Sequence, residues 1–432
     1  MKRIIALFLL LLLLAACQPT PEQEFIVNRA EEPLPAEAES SAETVAAPID
    51  VPPHVSKQQN PTEHVTVVLD ADVEFDPNAP HPMIEVGALD ITQDEAYLSA
   101  LLSLVGSGAT LYEKWPDTKE EIGEWLKSAY AYQGQLGSLV DRDIALNLLE
   151  QQYRNAPESP EKIRADRLET GKNYYLERSD GSISLISVNF EPNNLIYARD
   201  MRDSFCTEDF LAPDDPIVLT DPTISEADAL KKAEAFLKTL GVECDCLVKT
   251  ERGFTYRYYD LGEMLWVFNF VRAIDGTPSI DRPNSFMTSP DTPSSVGAPW
   301  APESARIYVG KDGVVCANFW GLSKTKRVAV KNAQLCDFEK VLDAGIRQIG
   351  YLHDGAMGRP HHTYTVTDIK LLYAMQTKKD DLSTGVYQPM WEFTYIYVEE
   401  PDWQPQKLYI SAITGGHVEP RRTTKDMMRN AE

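Results

Sequence analysis

Cysteine is scarce in this sequence, with six among 432 residues. The five that follow Cys17 are an odd number, so they cannot all pair within one chain. None of them shows the Cys-x-x-Cys spacing that structural zinc sites commonly use. We therefore exclude a disulfide framework and expect mostly unpaired, buried thiols at Cys206, Cys244, Cys246, Cys316 and Cys336.

Motifs of the common hydrolases are also missing. The sequence has neither a Gly-x-Ser-x-Gly turn in a strand-to-helix context nor a His-Glu-x-x-His helix. Cys316 follows Val314 and Val315 in a strand pattern, so core packing explains it better than nucleophilic catalysis. The sequence predicts a protein that is not an enzyme, although a site assembled from scattered acids or histidines stays open.

Basic residues are too few to balance the acids. The chain has 41 Lys and Arg against 66 Asp and Glu, a formal net charge of −25 at pH 7. A field of this sign repels nucleic acids and anionic lipid headgroups. We therefore expect no nucleic-acid partner. The charge is compatible with a cationic partner but identifies none.

Long apolar runs are confined to the N-terminus, where Ile4 to Leu14 follows the basic start Met1-Lys2-Arg3. The run is shorter than the roughly 20 residues that a membrane-spanning helix needs. A basic start, an apolar core and small residues are typical of an export signal. Leu14-Ala15-Ala16-Cys17 resembles the lipobox of bacterial lipoproteins. The resemblance implies a signal peptide at residues 1–16 and a diacylglycerol on Cys17, which would anchor the protein to the extracytoplasmic face of the cell membrane.

A stretch rich in Pro, Glu, Ala and Ser follows, as in Glu31-Glu32-Pro33-Leu34-Pro35. It offers too little apolar surface to offset the entropy lost on ordering. The composition therefore predicts a disordered tether over residues 17–63.

The next stretch, residues 64–200, reads as one domain that mixes helices and strands. Apolar and polar residues alternate from Val65 to Phe75, which predicts a half-buried strand. Two capping boxes, at Thr92 to Glu95 and at Thr118 to Glu121, each predict the start of a helix. Ser179-Asp180-Gly181 predicts a hairpin turn.

After an acidic, Pro-broken connector, one order of elements occurs twice, over residues 222–325 and 326–420. Each copy has a helix, two strands and a hairpin. Ser225 and Asp337 precede the two helices, and Trp266 corresponds to Trp391.

Four short segments of these copies resemble PepSY-type modules of bacterial envelope proteins. They are Ile224 to Ala227 with Phe236-Leu237, and Pro389 to Phe393 with Tyr409 to Gly416. The whole chain also resembles uncharacterised lipoproteins of Gram-positive bacteria. The resemblance implies small helix-plus-sheet domains with regulatory or inhibitory roles. We therefore expect an α+β fold, with a mixed N-terminal domain followed by two PepSY-like modules of one helix and an antiparallel sheet.

Two groups of side chains are candidates for a site. His353-Asp354 and His361-His362 could bind zinc or copper, but the glycines and Pro360 around them favour a polar loop without metal. The second group, Trp391, Phe393, Tyr395 and Tyr397, alternates along one strand and shares one sheet face. We expect this face to pack under the helix from Asp337 to Ile349, and a role in stacking sugars or peptides stays open.

These observations lead to one interpretation with two alternatives. We expect a lipid-anchored, extracytoplasmic envelope protein that binds or restrains a protein partner without catalysis, cofactor or metal. Its only assigned site residue is Cys17, for lipid attachment. An envelope hydrolase, or a solute-binding lipoprotein with a site that the sequence does not reveal, are the alternatives.

Overall fold

The computed structural model describes residues 49–418, with gaps at 106–108, 115–116, 132–141, 159–160, 190–193, 202, 212–216, 258–259, 281–302, 355–360, 379–380 and 401–403. The signal peptide and Cys17 lie outside the described residues. The described chain forms two units. The first contains residues 49–85 and 327–418, and the second contains residues 86–280 and 303–326.

Strands dominate both units. The described α-helices are α1 (Glu95–Val105), α2 (Lys119–Ala131), α3 (Arg142–Asn155), α4 (Glu226–Leu240) and α5 (Phe338–His353), with a 3-10 turn at Glu208–Phe210. The strands are β1 (His54–Gln59), β2 (Val65–Glu74), β3 (Met83–Ala88), β4 (Thr110–Lys114), β5 (Ile163–Arg164), β6 (Lys172–Glu177), β7 (Ile183–Val188), β8 (Leu195–Ala198), β9 (Ser204–Thr207), β10 (Cys246–Arg257), β11 (Asp260–Val271), β12 (Ala273–Ile274), β13 (Thr277–Pro278), β14 (Ser304–Gly310), β15 (Gly313–Trp320), β16 (Ser323–Val330), β17 (His362–Lys378), β18 (Asp381–Tyr397), β19 (Gln406–Ser411) and β20 (His417–Val418).

Local side-chain signals decide where α1 and α2 begin. At α2 the predicted capping box forms: the Glu121 amide donates to Thr118 Oγ1 at 3.1 Å, and the Thr118 amide donates to Glu121 Oε2 at 2.8 Å. At α1 the cap is Asp94, whose carboxylate accepts from the Tyr97 amide at 2.9 Å. Thr92 instead donates its hydroxyl to Asp90. The helix starts later than predicted because aspartate caps a first turn at least as well as threonine.

The predicted caps of α4 and α5 are confirmed. Ser225 Oγ accepts from the Asp228 amide at 3.2 Å, and Gly241 ends α4 with a φ of 64°. A φ in this left-handed region favours glycine, which has no Cβ to clash. The Asp337 carboxylate accepts from the Glu339 amide at 2.8 Å at the start of α5.

In the first unit, one helix covers one face of a sheet. The strand order is β1-β2-β17-β18-β19-β20, and β3 joins through β18 and pairs with β16. β2 and β17 run parallel, with Val65 opposite His362. Inward residues of the strands pack against α5 around Trp391, Phe393, Val341 and Ile346, which are all fully buried.

In the second unit, a ten-stranded sheet has the order β5-β4-β6-β7-β8-β15-β14-β11-β10-β9. Every pair along it is antiparallel. α1 and α4 contribute to its main core, which includes Leu101, Phe236, Phe268 and Phe319. Residues of α2 and α3 form a smaller core with Phe254 of β10.

A buried ion pair lies at one edge of this unit. The Arg272 side chain is 3% exposed and donates from Nε to Glu303 Oε2 at 2.6 Å. The same guanidinium donates to Ser323 and Thr325 and contacts Glu243. Burial raises the pKa of Glu303, although Arg272 acts in the opposite direction. These hydrogen-bond partners compensate the positive charge of Arg272, which would otherwise be costly to bury inside a protein.

The predicted α+β fold with two helix-plus-sheet PepSY-like modules is wrong. Strand accounts for 46% of the structure and helix for 22%, and the sheets are large. The ten-stranded sheet pairs β8 with β15, so strands from the predicted N-terminal domain continue into the sheet of the first predicted module. If each predicted module were a separate sheet covered by its own helix, strand edges such as those of β8 and β15 would be unpaired. Unpaired strand edges readily pair with further strands.

One strand, β1, lies where the composition predicted disorder, and β2, which the alternation from Val65 to Phe75 predicted, pairs outside its predicted domain. β1 lies within residues 17–63, the predicted disordered tether, because its backbone pairs with β2 from His54↔Asp72 to Gln59↔Val67. β2 begins the predicted domain of residues 64–200, yet it pairs with β17. The described part of the predicted tether is therefore ordered by its place at the edge of a sheet.

Candidate functional site

One end of the first unit gathers imidazole and phenol side chains from α5, β17 and β18. We call it the histidine–tyrosine cluster: His353, His362, Tyr364, Tyr395 and Tyr397. Register explains part of it, since Tyr364 is opposite Tyr397 in the pair formed by β17 and β18, and Tyr395 is opposite Val366. Alternation along the strands then turns all three rings to the face that α5 covers.

His353, the last residue of α5, contacts two tyrosines. Its Nε2 lies 3.1 Å from the Tyr395 hydroxyl, which donates to Gln406 Oε1 at 3.1 Å. Its ring stacks on Tyr364 with centroids 4.1 Å apart. Burial lowers the pKa of His353 to about 4, and a smaller effect of the nearby His362 acts in the same direction.

His362, the first residue of β17, has no solvent exposure. Its Nδ1 lies 3.1 Å from the Tyr397 hydroxyl, while its Nε2 is buried without a hydrogen-bond partner in the described part of the chain. The backbone amide of His362 donates to the carbonyl of His64 at 2.8 Å. Stacking of Tyr364 on Tyr397, at 5.2 Å between centroids, links this half of the cluster to the other.

Residues 355–360 of the polar loop predicted around these histidines lie outside the described residues, and two of the histidines beside them are not loop residues. His353 belongs to a helix and is half-buried, and His362 belongs to a strand and is fully buried. His361 is exposed and contacts the Thr66 hydroxyl at 2.9 Å, while Asp354 accepts from the Thr62 hydroxyl. Among the residues that the structure describes, no three His, Cys, Asp or Glu side chains are placed to hold a metal ion.

The aromatic stripe on β18 packs where the sequence predicted it. Trp391 and Phe393 are fully buried, and Tyr395 and Tyr397 are 2% exposed. The Trp391 ring lies 4.8 Å from the Phe338 ring at the start of α5. The stripe is therefore core, and its rings offer no exposed platform for stacking a sugar or a peptide.

On β2 and the adjoining part of β17, the opposite face of this sheet carries exposed acids. We call it the outer acidic face: Asp70, Asp72 and Glu74 of β2 with Asp368 of β17. The intervening residues Val67, Leu69 and Ala71 are buried in the core, so the acids point outward by alternation. All four acids are exposed, and Asp368 lies opposite Asp72 in the register. A row of carboxylates thus crosses two neighbouring strands.

His54 of β1 extends this row. Its Nδ1 lies 3.0 Å from Asp72 Oδ1, and its Nε2 lies 3.2 Å from Asp70 Oδ1. The hydrogen bond with Asp72 is the largest influence on His54 and raises its pKa. Protonation of His54 would therefore cancel part of the charge of the outer acidic face.

The cysteines after Cys17 form no disulfide with one another. Cys206, Cys244 and Cys316 are buried, and Cys246 and Cys336 are half-buried. Burial raises the pKa of Cys316, which keeps its thiol protonated and unreactive. The prediction that Cys316 is a core residue is confirmed by its 2% exposure.

Two of the surface depressions formed by described residues lie in the second unit, and both are open and polar. One, of about 280 Å³, is lined by charged residues that include Arg164, Asp166 and Glu169. The other, of about 500 Å³, is lined by Asp90, Asp94, Glu95 and Lys324 among others. Pockets that hold small ligands are usually enclosed and mostly apolar.

No described helix is long and apolar enough to cross a membrane.

Comparison with known families supports the interpretation of the N-terminus. The family described as prokaryotic membrane lipoprotein lipid attachment site matches residues 1–18. The chain thus carries a lipoprotein attachment site, which indicates a membrane-anchored, extracytoplasmic protein. A search of curated proteins found no match.

Two solved structures share a distant likeness with the chain. One is an uncharacterized protein from Eubacterium rectale, at 12% identity and a TM-score of 0.42, with 82% of this chain and 91% of that chain covered. The other is the Bacillus megaterium YpeB C-terminal domain, at 13% identity and a TM-score of 0.25, with 72% of this chain and 100% of that chain covered.

Proposed function

We propose that this protein is lipidated on Cys17 after removal of residues 1–16, and that it acts outside the membrane by binding or restraining a protein partner, without catalysis. The match of residues 1–18 to a lipid attachment site supports the anchor. Diacylglycerol adds two acyl chains, and two chains are what stable anchoring requires.

The outer acidic face is the observation that carries the proposal of a protein partner. The side chains of Asp70 and Asp72 are 69% and 88% exposed, so both carboxylates remain open to solvent although they contact His54. The other face of this sheet packs against α5. The acids therefore lie on a supported surface rather than in a cleft. A partner with a basic surface would be drawn to such a face, because complementary charge steers association and selects partners.

The placement of the chemically versatile residues supports a role without catalysis. His353 and His362 contact Tyr395 and Tyr397 inside the first unit, and the aromatic stripe lies under α5. These groups are engaged in packing that the fold itself needs. We therefore assign recognition to the exposed carboxylates and structural roles to the histidine–tyrosine cluster.

Crosslinking on intact cells tests the proposal. We expect a discrete adduct between the anchored protein and one partner, and its yield should fall several-fold when Asp70→Asn and Asp72→Asn are combined. Glu234→Gln, which removes an exposed acid from α4 in the second unit, is the matched control and should retain the adduct. Full retention by the double variant would exclude the outer acidic face. An adduct-free protein that instead turns over a substrate would replace binding with catalysis.

A further inference from the structure

The strand β1 forms one edge of the sheet in the first unit, with β2 on one side and no described strand on the other. At the entry to β1, the Val73 amide donates to the Pro53 carbonyl at 2.9 Å. Pro53 and Val73 are therefore a hydrogen-bonded pair. Bonded and non-bonded pairs alternate along two antiparallel strands, so this one bond fixes which backbone groups of β1 face β2.

The register of β1 on β2 continues from His54↔Asp72 to Gln59↔Val67. Counted by twos from Pro53, the residues whose backbone groups bond to β2 are Val55, Lys57 and Gln59. The residues between them turn their N–H and C=O groups away from β2. We call these groups the open edge: the backbone N–H and C=O of His54, Ser56 and Gln58. None of the described residues bonds to them, and unpaired backbone groups of this kind readily accept a further strand.

Carboxylates flank β1 on both faces of the sheet. On one face, the His54 imidazole lies 3.0 and 3.2 Å from two carboxylates of the outer acidic face. On the other face, Lys57 Nζ lies 3.1 Å from Asp343 and 3.5 Å from Glu339, both on α5. The side chains of these two acids are still 52% and 72% exposed. Each face of β1 therefore already directs a nitrogen-bearing side chain towards acids that remain open to solvent.

We propose that the partner protein adds an extended, basic segment as a further strand along the open edge. Neighbouring strands lie about 4.8 Å apart, so long lysine or arginine side chains of the added strand reach the acids on either side of β1. Backbone hydrogen bonds supply the affinity in this mode of recognition, and side chains supply the choice of partner. The inference rests on the proposed function and specifies how the partner of that surface binds.

The charge of the chain argues against its own residues as the occupant. Residues 18–48, which precede β1, include seven Glu and one Arg, and a second copy would bring the same acids to the edge. Residues 419–432 include four basic and three acidic residues, but they follow β20, which lies at the opposite edge of the sheet with four strands between it and β1. Complementary charge therefore favours a basic segment from another protein.

Residue-resolved amide hydrogen exchange of the full mature chain tests the open edge. The probe is a short synthetic peptide in which lysine alternates with threonine. At about ten times its Kd, the peptide should raise the protection of the Ser56 and Gln58 amides roughly tenfold. The amides of Val55 and Lys57 already bond to β2 and should change less. Unchanged protection of Ser56 and Gln58 up to millimolar peptide would overturn the proposal.

A control peptide separates strand pairing from plain attraction between charges. It keeps the same lysines but has two adjacent prolines at its centre, which interrupt pairing along both of its edges. This peptide should leave the Ser56 and Gln58 amides unprotected. Equal protection by both peptides would show that charge alone brings them to the sheet, and the added strand would be excluded.

A substitution in β1 gives the matching test on the protein. Ser56→Pro removes an N–H of the open edge but none that bonds to β2, and proline is tolerated at such positions of edge strands. It should weaken binding of the lysine–threonine peptide roughly tenfold or more, because one hydrogen bond is lost and the ring obstructs the approach of the strand. Ser56→Ala keeps the N–H and should bind as the wild type. If Ser56→Pro does not fold, the two peptides on the wild type decide.

Exchange without peptide identifies other occupants. Protection of Ser56 and Gln58 that rises with protein concentration would assign the open edge to a second copy, and protection independent of concentration would assign it to another segment of this chain. Either result would contradict a basic partner. On cells, an adduct that Ser56→Pro retains would exclude the open edge and leave the proposed function standing. Peptide pairing without any adduct on cells would support the open edge and contradict the proposed function alone.

Discussion

The Trp391 ring packs against Phe338 with centroids 4.8 Å apart, which places the centre of β18 directly beneath the first turn of α5. Trp391 is fully buried, and its Nε1 has no hydrogen-bond partner among the described residues. The ring thus contributes apolar packing, and its burial costs the desolvation of one N–H group. This confirms the prediction from the strand pattern that Trp391 is a structural residue.

Trp391→Ala should lower the free energy of unfolding by about 3–5 kcal/mol, as large core truncations do. Trp391→Phe is the matched variant. It keeps an aromatic ring next to Phe338 and removes the unbonded N–H, so its cost should be much smaller. Urea unfolding of the mature chain measures both. Equal costs for the two variants would show that the ring volume is not what stabilises this core.

Gly345 of α5 faces Phe393 so closely that a Cβ at this position would lie 2.8 Å from the Phe393 ring. Gly345→Ala gains up to about 1 kcal/mol of helix propensity, but overpacking a rigid core costs about 1–3 kcal/mol. We expect net destabilisation in thermal unfolding.

Gly123→Ala in α2 is the control for this prediction. Its Cβ would approach the ring of Tyr153, which is 38% exposed and free to shift. This substitution should be neutral or slightly stabilising. A Gly345→Ala protein as stable as the wild type would mean that α5 sits farther from the sheet than described.

Arg272→Ala should destabilise the second unit by about 3–5 kcal/mol, because it leaves the carboxylate of Glu303 buried without its main partner. The double variant Arg272→Met with Glu303→Gln removes both charges and should recover much of that loss. Chemical denaturation followed at neutral pH compares the two. A double variant no more stable than Arg272→Ala would contradict the assignment of the cost to an unpaired charge.

Limited proteolysis distinguishes the predicted tether from the strand that follows it. Composition predicts early cuts on the N-terminal side of residue 49, whereas β1 is paired along its length with β2 and should resist. Mass spectrometry of the first fragments should therefore show no cut within His54–Gln59. Early cleavage inside β1 would place the start of the folded protein after residue 60.

Local sequence patterns predicted the structural features that depend on residues close together in the chain. Thr118 and Glu121 fixed the start of α2, and the alternation from Val65 to Phe75 predicted β2. The partner of β2 could not be predicted in this way. It is β17, almost 300 residues further along the chain, and a strand's own side chains specify which face is buried but not which strand lies beside it.

The histidine–tyrosine cluster was missed for a related reason. The glycines and Pro360 after Asp354 favoured a loop, and this outweighed a signal that was present in the sequence. Ile346, Ile349 and His353 are spaced by three and four residues, which puts them on one helix face. Extending the helix to His353 would have placed the imidazole on the helix face that packs against the sheet, but its contact with Tyr395 depends on the tertiary packing of α5 on β18.

The mass of the N-terminal peptide of the mature protein tests the central claim, the lipid anchor, most directly. The account predicts that the chain purified from bacterial membranes begins at Cys17 and carries a thioether-linked diacylglycerol there. Cys17→Ser should yield no lipidated peptide and should leave the membrane fraction. An unmodified Cys17, or a Cys17→Ser protein that still sediments with membranes in the absence of detergent, would contradict it.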